Sequence, residues 1–222
     1  GKPGMEEEDS DESIELDPEM VFHNEVRETF LRCVKERFDQ TNALIELNAL
    51  KIAENRTFAD CARFIFTTIV GLCFQAPASV SREYRDLYNP ESRSLDEQEA
   101  RAKLLKHLRS LLNEWGNLLQ RFLKNEDDQV EVLLTFEDFC SEDGMFHMEN
   151  GSMCANSFCQ VLQLLYDCDI LSEDAIIAWA GEKDNADESD KVFLEKAQPF
   201  VTWLLQAESE SESSSGSYED SD

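Results

Sequence analysis

Apolar residues recur along most of the chain at the three- to four-residue spacing of amphipathic helices. The first series begins after Asp17-Pro18, and a second covers residues 42–55. A third opens at Thr57, where Asp60 three residues later completes the spacing of a capping box, and is predicted to end near residue 75. On the first helix one face collects Phe22, Val26, Phe30, Cys33, Val34 and Phe38.

The rest of the chain continues the helical pattern, with loops marked by Pro77 and by Asn89-Pro90. Ser172 is a favourable N-cap for one of the later helices. We find no alternation typical of strands, so about eight helices with mostly short connections predict an all-α fold. Its expected form is a stack of antiparallel helical hairpins, HEAT-like with atypical repeats. The remaining helices are predicted at residues 95–124, 130–140, 155–167, 173–181 and 189–207.

Both ends of the chain are acidic and poor in apolar residues, which is typical of disordered segments. The residues before Met5 resemble a cloning remnant, so we expect the chain to be a piece of a longer protein. Three parts are predicted: a disordered acidic segment at 1–17, a HEAT-type helical domain at 18–207, and a disordered acidic, serine-rich tail at 208–222.

The net charge of −28 limits the classes of partner that we expect the chain to bind. Nucleic-acid binding needs patches of Lys and Arg, so we expect no direct nucleic acid partner and favour a basic protein segment. No apolar run has the length of a membrane span, so we expect no membrane partner. Seven scattered cysteines read as reduced thiols, which indicates a cytoplasmic location.

Sites for covalent chemistry are not recognisable in the sequence. It contains neither a glycine-rich phosphate loop nor the common hydrolase and metalloprotease motifs. His147 with Cys154, Cys159 and Cys168 lacks zinc-knuckle spacing, and the acidic run 184–190 lacks the glycine and final glutamate of a calcium loop. We therefore predict no metal site, no cofactor and no covalent catalysis.

Trp203 is the first candidate functional residue. The last predicted helix has apolar residues around most of its circumference after Pro199, although a terminal helix of a stack should have a polar outer face. On a helical wheel Trp203 lies roughly 110° from the main apolar stripe, at about 100° per residue. It either fills a groove in its own domain or faces outward to meet a partner.

Glu46 is the second candidate. On the wheel it lies nearly opposite the polar ridge of Asn48, Lys51 and Asn55, in an apolar sector. A carboxylate in such a sector is at a rim, paired, or functional. Its position near a helix N-terminus, where the dipole favours an acid, is the structural alternative.

Two segments near the C-terminus combine aromatic residues with acids: "LYDCDILSEDAIIAWAGE" and "PFVTWLLQAESESES". Aromatic side chains can anchor a partner while surrounding carboxylates attract a basic one. The predicted partner-binding residues are Tyr166, Asp167, Asp169, Glu173, Asp174, Trp179, Phe200, Glu208, Glu210 and Glu212.

These two segments resemble the acidic–aromatic boxes of the two-tryptophan HEAT domains. Such domains end the epsilon subunit of eukaryotic translation initiation factor 2B, initiation factor 5 and some initiation factor 4 gamma proteins. The opening helices, "VFHNEVRETFLRC" and "NALIELNALKIAENRTFADCARFIF", resemble those of the epsilon type. Departures are Ala180, where the family commonly has a second large aromatic, and long predicted loops near 77–98 and 141–155.

The resemblance implies a guanine-nucleotide exchange fragment that releases GDP from translation initiation factor 2. It implies contacts with the gamma GTPase subunit and with the lysine-rich tail of the beta subunit. By the same resemblance Glu46 and Trp203 match the family's exchange-linked residues. Other subunits of initiation factor 2B are expected to bind N-terminal regions outside this chain. The alternatives are a non-catalytic adaptor of the initiation factor 5 type, which docks basic segments, and a structural scaffold.

Overall fold

The computed structural model describes Gly4, residues 16–74, residues 97–141, Gly144 and residues 151–214, with side chains to 212. Within these ranges the chain forms nine α-helices, one short 3-10 helix and no strand, which confirms the all-α prediction. Most of each loop predicted near 77–98 and 141–155 lies outside the described residues, as do 1–3, 5–15 and 215–222, but residues 97–98 and 151–155 are helical. The helices are α1 (Pro18–Lys35), α2 (Gln40–Ala53), α3 (Phe58–Leu72), α4 (Glu97–Arg121), α5 (Glu126–Cys140), α6 (Gly151–Asn156), α7 (Phe158–Asp167), α8 (Glu173–Asp184), the 3-10 helix Glu188–Lys191, and α9 (Val192–Ser214).

Side-chain caps fix where several helices begin, because they satisfy backbone N–H groups that have no partner inside the helix. The Asp17 carboxylate accepts from the Glu19 amide ahead of α1. At α3 the capping box is complete: the Asp60 amide donates to Thr57 Oγ1, and the Thr57 amide donates to the Asp60 carboxylate. Ser172 accepts from the Ala175 amide at the start of α8. The predicted capping box and Ser172 cap are both confirmed.

The helices lie in two layers. In one layer α1, α3, α5 and α8 lie side by side in that order, and in the other α2, α4, α7 and α9 do so. The short helix α6 packs against α5 and α7. Helices from the two layers pair as the hairpins α1/α2, α3/α4 and α8/α9, as expected for a HEAT-like stack. Among the described residues, one continuous hydrophobic core runs between the layers, including Phe22, Phe30, Leu47, Phe64, Trp115, Phe136, Phe158, Trp179 and Leu204.

The ends of several helices differ from the predicted positions. α5 begins at Glu126 rather than near residue 130, since Asn125 caps it and three acids occupy its first turn. Pro199 is accommodated inside α9, which does not end there. α9 continues to Ser214, so residues 208–214, predicted to belong to a disordered tail, are helical in the structure. In the part of the chain that the structure describes, no helix has the length and apolarity needed to cross a bilayer.

Candidate functional sites at the two ends of the stack

The two acidic–aromatic segments meet at one aromatic cluster formed by Tyr166, Phe200 and Trp203. Tyr166 lies near the end of α7, and the other two residues lie one turn apart on α9. The Phe200 and Trp203 rings stack with centroids 5.8 Å apart and an interplanar angle of 15°. The Tyr166 ring meets Phe200 edge-on at 5.5 Å and Trp203 edge-on at 6.4 Å. Packing of α7 against α9 therefore joins the two acidic–aromatic segments at one surface.

Trp203 is the exposed member of this cluster. Its side chain is 53% exposed, whereas Phe200 is 6% exposed and Tyr166 is half-buried. Of the two alternatives left open for Trp203, the structure shows the outward position and not a groove within the domain. Phe200 is the floor on which the indole rests, so its own surface is largely unavailable to a partner. The arrangement presents an indole face held in place by neighbouring rings, a geometry that suits contact with a cation or an apolar side chain.

The predicted partner-binding acids lie at the end of α7, in the first turn of α8 and in the last turns of α9. Asp167 and Asp169 are exposed at the end of α7, where Asp169 has φ of 59° and Gln120 Nε2 donates to its carbonyl oxygen. Asp174 is exposed and Glu173 is half-buried in the first turn of α8. The other predicted acids lie on the exposed last turns of α9: Glu208, Glu210 and Glu212.

The acids of α9 stand at an unfavourable place for negative charge. A helix C-terminus carries a partial negative charge from its terminal carbonyl groups, which favours cations and disfavours anions. The last turn of α9 has no basic residue. The end of α9 is therefore a concentrated negative site beside an exposed indole.

The structure corrects the prediction for Trp179, which was expected to bind a partner. Its side chain is 0% exposed and packs against Phe158, with ring centroids 5.9 Å apart. Its indole N–H donates to Glu137 Oε2 at 3.1 Å, and Lys183 Nζ lies 3.1 Å from the same oxygen. Burial raises the pKa of the Glu137 carboxyl, and hydrogen bonds from Trp179 and Lys183 partly oppose that rise. Trp179 thus anchors α8 to α5 rather than contacting a partner.

Glu46 lies at a rim of the first hairpin. Its side chain is 45% exposed, and its carboxylate accepts from Arg32 Nη2 on α1 at 3.0 Å. The wheel placed it correctly off the polar ridge. The apolar sector around it, however, is only partly covered by the domain, so the carboxylate is both solvated and paired.

Next to Glu46 an apolar ridge is open to solvent, formed by Ile45, Ala49 and Ile52 at the i, i+4, i+7 spacing of one helix face. The two isoleucines are 60% and 65% exposed. The opposite face of α2 supplies Ala43 and Leu47 to the core. The sequence analysis missed this ridge, although apolar residues on two opposite sides of α2 signal that one of them lacks a partner inside the domain.

The two candidate surfaces are not brought together. α2 belongs to the first hairpin and α9 to the last, with α4 and α7 between them in the same layer. Glu46 and Trp203 thus belong to separate surfaces, and a partner that touches both must extend along the layer or use two segments.

Comparison with known proteins adds a family to this geometry. Residues 128–214 match the family model described as "W2: eIF4-gamma/eIF5/eIF2-epsilon". The chain is 30% identical over 198 residues to translation initiation factor eIF2B subunit epsilon of Dictyostelium discoideum, covering 89% of this chain and 24% of that protein. It is 26% identical to the epsilon subunit of Schizosaccharomyces pombe over 88% of this chain and 24% of that protein. The chain spans about a quarter of the length of these epsilon relatives.

A second group of relatives matches less of the chain. eIF5-mimic protein 2-A of Danio rerio is 33% identical over 109 residues, covering 49% of this chain and 23% of that protein. The W2 match contains both acidic–aromatic segments, and the similarity to the epsilon subunits extends over most of the chain, well beyond the W2 match. The chain belongs to the family of W2-containing C-terminal domains of eIF2B epsilon subunits.

Proposed function

We propose that this chain is a guanine-nucleotide exchange fragment that promotes release of GDP from translation initiation factor 2. The surface of α2 contacts the gamma GTPase subunit, and the aromatic cluster with its acids holds the lysine-rich tail of the beta subunit. The observation that carries this proposal is the exposed apolar ridge beside Glu46. Docking of basic segments alone gives no reason for an exposed apolar surface at the far end of the stack.

The α2 surface has the composition of a contact surface. Burying two isoleucines that are more than half exposed supplies apolar contact area, and the carboxylate at the rim supplies a charged contact. Accelerated release requires that this surface bind nucleotide-free GTPase better than the GDP-bound form, since equal binding would shift no equilibrium. Glu46 provides such a preference in one of two ways. It exchanges its ion-pair partner Arg32 for a basic residue in a switch region of the GTPase, or it disturbs the Mg²⁺ and phosphate site of the GTPase.

The last hairpin, α8/α9, captures the lysine-rich tail of the beta subunit. Trp203 presents its ring to lysine side chains, and the acids at the C-terminal end of α9 gain from a neighbouring cation through both charge pairing and the helix dipole. This capture raises the local concentration of the GTPase near α2, since both contacts belong to one partner. The two surfaces therefore have separable effects.

Labelled-GDP release from purified initiation factor 2, with and without the chain, tests the proposal. We expect acceleration that Glu46→Ala and Ile45→Asp both reduce, while Glu54→Ala, an exposed acid capping the same helix, changes release little. Circular dichroism checks that each variant remains folded. Full release activity of folded Glu46→Ala and Ile45→Asp would contradict the role of α2.

The alternative function is a non-catalytic adaptor of the initiation factor 5 type. It is favoured by the local identity of 33% to an eIF5-mimic protein and by the presence of both acidic–aromatic segments in the W2 match. The same experiment separates the two functions, because an adaptor binds initiation factor 2 without accelerating GDP release. No binding at all would leave a structural scaffold.

A further inference from the structure

A groove between α4 and α7 differs in charge from the rest of the molecule. Between Ala100 and Asn113, α4 carries two arginines and two lysines and no acid, in a chain with 48 acids and 20 Lys and Arg. The facing helix α7 has no charged residue before Asp167. The groove has a volume of about 370 Å³ and is lined by Leu105, Lys106, Arg109, Gln160, Gln163, Leu164 and Asp167.

The polar side chains of this groove are available for a ligand. Lys106 and Gln163 are exposed, and Gln160 is half-buried. In the described part of the chain no hydrogen bond or ion pair engages these three side chains. Arg109 is 52% exposed, and its contact with the Asp167 carboxylate is long, at 3.9 Å. Two cations and two carboxamides therefore face one channel over an apolar floor of Leu105 and Leu164.

We propose that this groove binds an extended acidic segment of a partner protein. Carboxylates of the segment pair with Lys106 and Arg109, and the two glutamine amides hydrogen-bond to its main chain, since a carboxamide offers both a donor and an acceptor. The charge argument favours a peptide over RNA: two cations suit a short acidic stretch, whereas a long phosphate chain would meet the many carboxylates around the groove.

The position of the groove gives it a second property. Asp167 lines the groove. The residue before it on α7, Tyr166, belongs to the aromatic cluster, so the groove and the cluster are neighbours. The layer therefore presents a cationic channel directly beside an acidic–aromatic surface. A partner whose acidic stretch lies next to a lysine-rich stretch would match both at once. This inference does not depend on nucleotide exchange, because it is tested by binding alone.

The test uses the full chain and a labelled peptide of alternating glutamate and glycine, measured by fluorescence anisotropy. We expect saturable binding that the double change Lys106→Glu, Arg109→Glu weakens at least about fivefold. Arg121→Glu, an exposed position near the end of the same helix, is the matched control and should change binding less than about twofold. Equal losses in the two variants would overturn the proposal, because they would indicate a general charge effect.

Asp167→Asn provides a test of sign. Removing this carboxylate should tighten binding of the glutamate peptide by about two- to threefold and weaken binding of a lysine–glycine peptide. Weaker binding of both peptides would contradict the proposal. All substituted side chains are exposed, and thermal unfolding checks that the variants remain folded.

Nuclear magnetic resonance identifies the occupant. The side-chain amide signals of Gln160 and Gln163 should shift when the glutamate peptide is added. Shifts caused by deleting residues 1–15 or 215–222 without peptide would assign the groove to a segment of this chain. Shifts that depend on protein concentration would assign it to a second copy, and tighter binding of an RNA oligonucleotide would assign it to nucleic acid. Each of these three results would overturn the proposal.

Discussion

The first and last hairpins leave different chemistry exposed. On α2 the exposed residues form an apolar ridge with one carboxylate, and that carboxylate is already paired with Arg32. On α9 one indole stands on two supporting rings, and acids follow it in a last turn that contains no basic residue. Contact at α2 should depend on burial of apolar area, and contact at α9 should depend on charge. We therefore expect the two surfaces to respond to different conditions.

The sharpest form of this comparison is between two tryptophans of the last two helices. Trp179→Ala should lower the free energy of unfolding by about 3–5 kcal/mol, because it leaves a cavity and removes the indole donor from buried Glu137. Trp203→Ala should cost less than about 1 kcal/mol, since more than half of its side chain is exposed. Urea unfolding measures both.

A binding measurement on the same variants separates a tryptophan that supports the fold from one that contacts a partner. Trp203→Ala should weaken binding of a lysine-rich peptide while the protein remains folded, and Leu205→Ala, exposed on the same helix, is its control. Similar losses of stability in the two tryptophan variants would contradict the division between a buried anchor and an exposed contact.

Binding at the two surfaces should differ in its dependence on ionic strength. Raising the salt concentration from about 0.1 M to about 1 M shortens the screening length from about 10 Å to about 3 Å. Binding of a lysine-rich peptide at α9 should then weaken by about tenfold or more, because its acids are exposed. The proposed contact of α2 with the GTPase should change much less. Titrations of the isolated peptide and of the GTPase subunit at both salt concentrations measure the difference. Equal salt dependence would remove the distinction.

The pH dependence of stability offers a smaller effect, with opposite signs at the two ends. Burial on α1, helped by Arg27 and Arg63, lowers the pKa of His23 from 6.5 to about 4. The unfolded chain then binds the additional proton between these values, so the folded protein loses stability as pH falls from 6.5 towards 4. Glu137, which holds α8, has a raised pKa, so its contribution to stability falls as pH rises above the ordinary carboxyl value.

Unfolding curves of the wild type and His23→Gln between pH 7 and pH 4 measure the first of these contributions. His23 Nε2 lies 3.3 Å from Thr67 Oγ1, and glutamine keeps a polar group near that hydroxyl. The variant should lose less stability than the wild type as the solution is acidified. The same loss in both proteins would show that His23 does not carry the effect.

The smallest expected effect is at the ion pair of the first hairpin. Arg32 and Glu46 are each about half exposed, so Arg32→Gln should change the free energy of unfolding by less than about 0.5 kcal/mol. If Glu46 exchanges Arg32 for a base of the GTPase, this variant should keep or increase the rate of GDP release. A lower rate with unchanged stability would mean that Arg32 itself belongs to the contact. Stopped-flow release measurements provide the test.

Local signals in the sequence were sufficient for much of the fold. Thr57 with Asp60, and Ser172, cap their helices through contacts within three residues, so their spacing predicts them. Helical phase also set Trp203 apart from the buried face of α9, which the stripe that includes Ala197 and Leu204 defines, but left open whether it faces outward.

Features that depend on packing between helices could not be predicted. Trp179 and Trp203 have similar acidic neighbours in the sequence, and contact with Glu137 and Phe158 is what buries the former. On α2 apolar residues lie on two opposite sides of the helix, so periodicity alone could not tell that the side with Ile45 and Ile52 remains exposed. The extension of α9 was hidden because glutamate and serine suit a disordered segment as well as a helix end.

The helical extension of α9 changes how its acids are displayed. Glu208, Glu210 and Glu212 alternate with serines, which in an extended chain would place all three on one side. At about 100° per residue, Glu208 and Glu212 share one side of the helix, and Glu210 points roughly the opposite way. The end of α9 is thus a rod with negative charge around its circumference. If a lysine-rich segment binds here as proposed, it would reach all three carboxylates only by winding around that rod, so the length of the segment should matter more than its direction of approach.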